Sequence, residues 1–224
     1  MGHTITLTCA DGVSISAWRA EPAGKPKGGL VVLQEIFGVN AHIRSVADSF
    51  AAAGYLTIAP CLFDRYHPGV ELAYSPGEIA QGLDIMKAAK KAETMLDILA
   101  AIGAAGEAGK IGITGFCWGG TLTYLAAAWL PGLSAAVGYY GGGIANSLAA
   151  KPKIPLMLHF GAKDDGIPMD AVASIREANP KAQVFTYPTA GHAFNRDGNA
   201  AYDAPSAALA MQRTLGFLGE RVGG

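Results

Sequence analysis

The chain is short of the features that most quickly assign a protein to a class. Charged residues occupy only 16% of its 224 positions and nearly cancel, 17 Lys and Arg against 18 Asp and Glu. A net charge of −1 and a pI near 6.5 provide no field that would gather nucleic acid or an anionic membrane, so neither is expected as a partner. Cysteine is scarce: Cys9, Cys61 and Cys117 are an odd number with no C-x-x-C spacing. That excludes a disulfide framework and a zinc cluster, and no metal or cofactor is expected. No apolar run approaches the ~18 residues of a membrane span. The opening residues Met1 to Leu7 carry neither a basic stretch nor an apolar signal region, which predicts a cytoplasmic protein whose thiols stay reduced.

What the chain does have is apolar bulk and glycine. Half of it is hydrophobic and 30 residues are Gly, a composition suited to helices packed closely on a sheet. At this length the expectation is one domain, residues 1–224. Ile5–Thr8 and Val13–Trp18 alternate with period two around a turn at Ala10-Asp-Gly12, which predicts an antiparallel hairpin. Leu30–Leu33, Tyr55–Ala59, Ala135–Tyr140, Pro155–Phe160 and Gln183–Tyr187 read as strands, several of them continuously apolar in the manner of buried parallel strands. Helices are expected from an Asn40 cap through Ala53, over Glu78–Ala101, over Met169–Asn179 and over Pro205–Glu220. Strands alternating with helices over the whole length predict an α/β fold, a mainly parallel sheet covered on both faces. The irregular stretch from Pro60 to Gly77 reads as a functional loop.

The strongest local signal is Gly115-Phe-Cys117-Trp-Gly119, set between an apolar strand and the helix-forming run Thr121–Ala128. This is the strand, sharp turn and helix of a nucleophile elbow, G-x-Nuc-x-G, with cysteine in place of serine. The glycines relieve crowding around a strained turn. The sulfur then sits at a helix N-terminus, whose N–H groups favour a thiolate or an oxyanion. An inert buried cysteine at a glycine-rich junction is the competing reading.

A thiol needs a base, and in α/β-hydrolases an acid and then a histidine follow the nucleophile on later strand ends. Asp164, in the loop Gly161–Pro168, and His192, in Thr189–Phe194, fall in that order. His192 would take the thiol proton and pass it to the leaving group, while Asp164 would fix the imidazole and stabilise the imidazolium. Asp165 is an alternative acid and His67 an alternative base. Glu35, at the end of an apolar strand, needs a partner if it is buried: either an arginine, or a role as proton acceptor near the thiol. The backbone N–H groups of Ile36 and Trp118 are the expected oxyanion hole.

Gln34–Asn40, Gly115–Gly120, Ala136–Gly141, the Gly161–Pro168 loop and Ala190–Phe194 together resemble the dienelactone hydrolase (carboxymethylenebutenolidase) family over essentially the whole chain. The resemblance implies an α/β-hydrolase fold and a Cys117, Asp164 and His192 triad. It further implies a Glu35 that holds the resting thiol and takes its proton once substrate binds. The implied substrates are small carboxylate-bearing enol-lactones met in aromatic-compound breakdown, opened through an acyl-cysteine thioester. Arg196 then corresponds to an arginine gripping the substrate carboxylate, with Phe37 and Tyr140 as further substrate-binding residues. A second arginine is missing, because Pro68–Met86 contains no Arg or Lys. The alternatives are a carboxylesterase or thioesterase for another small substrate, or a thiol sensor on a hydrolase scaffold. A monomer or small homo-oligomer is expected.

Overall fold

Five short apolar runs become the inner strands because they can be buried on both faces at once. The structure, a computed structural model, describes residues 2–223. Its sheet has eight strands: β1 (His3–Thr8), β2 (Ser14–Ala20), β3 (Gly29–Leu33), β4 (Leu56–Pro60), β5 (Ile111–Phe116), β6 (Leu133–Tyr139), β7 (Leu156–Gly161) and β8 (Gln183–Tyr187). They lie in the order β1-β2-β4-β3-β5-β6-β7-β8. The hairpin β1–β2 joins β4 antiparallel, and every other pairing is parallel. Every residue of β3, β4, β5 and β7 is buried, as expected of strands covered on both sides.

Six α-helices among the described residues cover the sheet: α1 (Ala41–Ala52), α2 (Pro76–Ala88), α3 (Lys91–Ala105), α4 (Trp118–Trp129), α5 (Met169–Ala178) and α6 (Ala204–Arg221). Asn40 caps α1 through Oδ1, which accepts the Ile43 N–H at 3.3 Å. Among the described residues, none of the helices is long and apolar enough to cross a membrane. One continuous apolar core runs from Leu7 in β1 to Val222 beyond α6.

The single helix expected over Glu78–Ala101 is two helices. Ala89 and Lys90 both adopt extended backbone, with ψ 121° and 124°. Neither residue breaks helices by propensity, so the cause is tertiary. The Tyr66 hydroxyl, from the preceding irregular loop, accepts the Lys90 N–H at 2.8 Å. Thr94 then starts α3 by donating its hydroxyl to the Lys90 carbonyl.

The Pro60–Gly77 segment is held by polar staples. Asp64 accepts N–H bonds from Ser16 and Gly69 at 2.9 and 3.0 Å. Arg65 is clamped between Asp11 and the fully buried Asp97, at 2.6 and 2.5 Å.

Candidate active site

β5 ends in Phe116 and α4 begins at Trp118, so Cys117 alone must turn the chain. It does so with φ 55° and ψ −115°, in the region that side-chain-bearing residues rarely adopt. Flanking glycines make the turn possible. A Cβ on Gly115 would run into the Gly119 carbonyl, and one on Gly119 would lie 2.5 Å from the Gln34 carbonyl oxygen. The elbow is thus wedged between its own helix and the strand end of β3.

Three non-glycine residues among those described have positive φ: Cys117, Tyr140 at 37° and Ala193 at 60°. All three border one spot, the sulfur, the residue after β6 and the residue after His192. Strain of about 1–3 kcal/mol per residue survives only where the surroundings enforce it, and such strain concentrates at functional sites.

His192 Nε2 lies 3.2 Å from the Cys117 Sγ, and His192 Nδ1 lies 2.7 Å from Asp164 Oδ2. Asp164 is 4% exposed, and its other oxygen accepts the Gly166 N–H at 2.9 Å. Two backbone bonds tie the loops that carry these side chains, Lys163 N–H to the Ala190 carbonyl and Ala162 N–H to the Tyr187 carbonyl. Burial pushes the His192 imidazole down, but hydrogen bonds and charge from Asp164 and Cys117 outweigh it and raise its pKa to about 10. An imidazole so supported is a strong acceptor for a thiol proton.

The structure pairs His192 and Asp164, not His67 or Asp165, with the sulfur. His67 and Asp165 are both exposed. His159 in β7 is fully buried between the Tyr187 and Thr214 hydroxyls, and burial pushes its pKa down to about 3. The other two cysteines are sealed as thiols: burial first, then neighbouring Asp97 for Cys9 and Asp64 for Cys61, pushes each up to about 12.

Glu35 does not hold the thiol. It is fully buried, and its two carboxylate oxygens accept Arg196 Nε and an Arg196 terminal N–H at 3.0 and 2.9 Å. The guanidinium is itself sandwiched, 4.9 Å from the Phe37 ring centre and 4.4 Å from that of Tyr74. Arg196 is only 8% exposed, so it is not free here to grip a substrate carboxylate. Phe37 serves that stack. Tyr140 is fully buried with its ring centre 5.2 Å from His192, and its hydroxyl has no partner among the described residues. No sequence motif marks Tyr74; its one signal is an aromatic ring inside the long irregular loop.

The Ile36 and Trp118 N–H groups make no hydrogen bond to another group among the described residues. The loop carrying Ile36 is steadied by Gln34, whose side chain accepts the Leu62 N–H at 2.9 Å and donates to the Glu35 carbonyl. A cavity of about 420 Å³ opens on Cys117, His192, Ile36 and Trp118. Phe37, Tyr140 and Arg196 are absent from its wall, which α2, α3 and α4 supply instead. Leu83 and Met86 of α2 are wall residues that sequence reasoning misses.

A mainly parallel sheet with a strained cysteine elbow after β5, an acid after β7 and a histidine after β8 is an α/β-hydrolase carrying a thiol. Residues 15–222 match the dienelactone hydrolase family. The chain is 36% identical over 224 residues to the carboxymethylenebutenolidase of Pseudomonas putida, covering 96% of this chain and 94% of that one. It is 37% identical over 221 residues to a candidate carboxymethylenebutenolidase of Synechocystis sp., covering 90% and 89%. A crystal structure of a candidate dienelactone hydrolase from Klebsiella pneumoniae superposes with TM-score 0.85 at 32% identity, covering 98% of this chain and 99% of the other. The chain belongs to the dienelactone hydrolase family, hydrolases of ester and lactone bonds.

Proposed function

We propose that the protein hydrolyses a small carboxylic ester or lactone through an acyl thioester on Cys117. Dienelactone-type lactones, as the relatives' names suggest, lie within its range, and aromatic-compound breakdown is its setting. The observation that carries this reading is the continuous Cys117–His192–Asp164 hydrogen-bond chain, whose Cys117 and His192 line the cavity.

In the first half-reaction the proton shared by the Cys117–His192 pair is on His192 Nε2 as the sulfur bonds to the acyl carbon. The carbonyl oxygen, now an anion, is received by the Ile36 and Trp118 N–H groups. The C–O bond to the leaving group breaks, and His192 returns the proton to that oxygen. A water then gives a proton to His192 and attacks the thioester. The C–S bond breaks, the acid leaves, and the sulfur recovers its proton. Asp164 holds the imidazole with Nε2 toward the sulfur throughout and offsets its positive charge. Tyr140 packs edge-on against the same ring and limits its rotation.

His192 is the base in this scheme. Glu35 acts with Arg196 as a clamp on the loop that presents the Ile36 N–H. A role for Glu35 as proton acceptor requires it first to leave Arg196, and a substrate carboxylate is the anion that could draw Arg196 away.

Hydrolysis of a chromogenic ester by the wild type and by Cys117→Ala tests the scheme. The substitution should lower kcat by at least about 10³, the scale seen when a nucleophile acting in a unit is removed. Turnover that survives it would remove the thiol from the mechanism.

A further inference from the structure

The cavity beside Cys117 follows α4. Leu122 and Leu125 line it on one side, and Leu83 and Met86 of α2 on the other. At about 1.5 Å per residue, α4 rises about 12 Å from Cys117 to Leu125. The sulfur marks the near end of this apolar wall. At the far end stands Lys91 of α3, an exposed wall residue whose ammonium lies 5.8 Å from the ring centre of Trp129, the last residue of α4.

Lys91 is the one Lys or Arg among the described residues of the wall, and no Asp or Glu lines it. The lysines beside it are paired, Lys87 with Asp84 at 3.7 Å and Lys90 with Glu93 at 3.0 Å. Lys91 has no carboxylate partner among the described residues. Arg196 and Arg65 are held, the first by Glu35 and the second by Asp11 and Asp97, and neither reaches the wall.

A carboxylate that gives up water for this cavity needs donors in exchange. The Ser147 and Thr94 hydroxyls have spent their single protons, on the Gly143 carbonyl at 2.9 Å and the Lys90 carbonyl at 3.2 Å. The Thr121 hydroxyl accepts the Gly143 N–H at 3.0 Å and keeps its own proton free among the described residues. It lies about one helical turn from Cys117, at the near end. At the far end the free side-chain donor is the Lys91 ammonium.

We infer, on the basis of the thiol-hydrolase function proposed above, that Lys91 is a specificity-determining residue. It receives a carboxylate carried at the far end of the acyl chain, several carbons from the carbonyl that Cys117 attacks. The substrate class so recognised is esters and lactones whose acyl part is an apolar spacer ending in a carboxylate.

The test compares p-nitrophenyl hexanoate with the mono-p-nitrophenyl ester of adipic acid, which matches hexanoate in length and ends in a carboxylate. Lys91→Met should lower the adipate-to-hexanoate ratio of kcat/KM at least about fivefold, the scale of one solvent-accessible ion pair. The loss should appear in KM for the adipate ester, as befits a group remote from the reacting bond. Lys87→Met removes a neighbouring charge that is off the wall and should leave the ratio unchanged. A smaller fall in Lys91→Met, or an equal fall in Lys87→Met, would overturn the assignment.

Titration calorimetry on Cys117→Ala separates recognition from chemistry. Adding Lys91→Met should weaken binding of adipamic acid relative to hexanamide at least about fivefold, and a smaller change would also overturn the assignment. Turnover by Cys117→Ala at the wild-type rate would sink the thiol mechanism, while the role of Lys91 would still be decided by the calorimetry.

Discussion

The most consequential pair of residues is Glu35 and Arg196, separated by 161 positions and joined by two hydrogen bonds in the interior. Each alone would be an expensive burial; together, with two aromatic faces on the guanidinium, they are satisfied. Burial pushes the Arg196 pKa down, but the Glu35 charge and hydrogen bonds reverse this and leave it raised. The pair ties the strand end of β3 to the loop after His192, so it holds the two sides of the site at fixed separation. Removing one partner leaves the other charged and dry. Glu35→Gln should therefore lower the free energy of unfolding by about 3–5 kcal/mol, read by urea denaturation at neutral pH. Unchanged stability with a large loss in kcat would mean that Glu35 works on the thiol proton and not as a clamp.

Among the elements, α2 has the largest influence on chemistry that it does not perform. Ser75 and Glu78 form a capping box at its start, and Gly82 lets the helix settle directly on the Ile36 carbonyl. A methyl group there has no room, because the obstacle is backbone. Gly82→Ala should lift α2, shift the Ile36 N–H and lower kcat by about tenfold or more, part of the 10²–10³ that loss of a whole oxyanion donor costs. Thermal unfolding should show the fold retained, and a wild-type kcat would contradict this placement of α2. The break between α2 and α3 shows why element boundaries are harder to read than elements. Ala88-Ala89-Lys90 is good helix sequence, and only the Tyr66 hydroxyl, 24 residues earlier, ends the run. The strands are legible because β3, β4, β5 and β7 are buried on both faces and are mostly apolar, with only Thr57, Thr114 and His159 polar.

Over the whole molecule, the sheet order brings β3, β5, β7 and β8 to end at one edge, so Glu35, Cys117, Asp164 and His192 meet without any local signal joining them. The three residues along the Cys117–His192–Asp164 chain can be picked out because each follows a strand, in a fixed order. The pairing of Glu35 with Arg196 can be named only as one of two possibilities, since sequence gives charges and not which of them face each other. The cavity wall is not legible at all, because it is assembled from faces of α2, α3 and α4 that look like ordinary helix surface. The central claim is that the Cys117 sulfur becomes acylated, and intact-mass spectrometry of enzyme quenched in acid during turnover of p-nitrophenyl acetate tests it most directly. The account predicts a species heavier by one acetyl group, mapped to the peptide holding Cys117, removed by hydroxylamine and missing in Cys117→Ala. Steady turnover with no acyl adduct, or an adduct on any other residue that accounts for the rate, would contradict it.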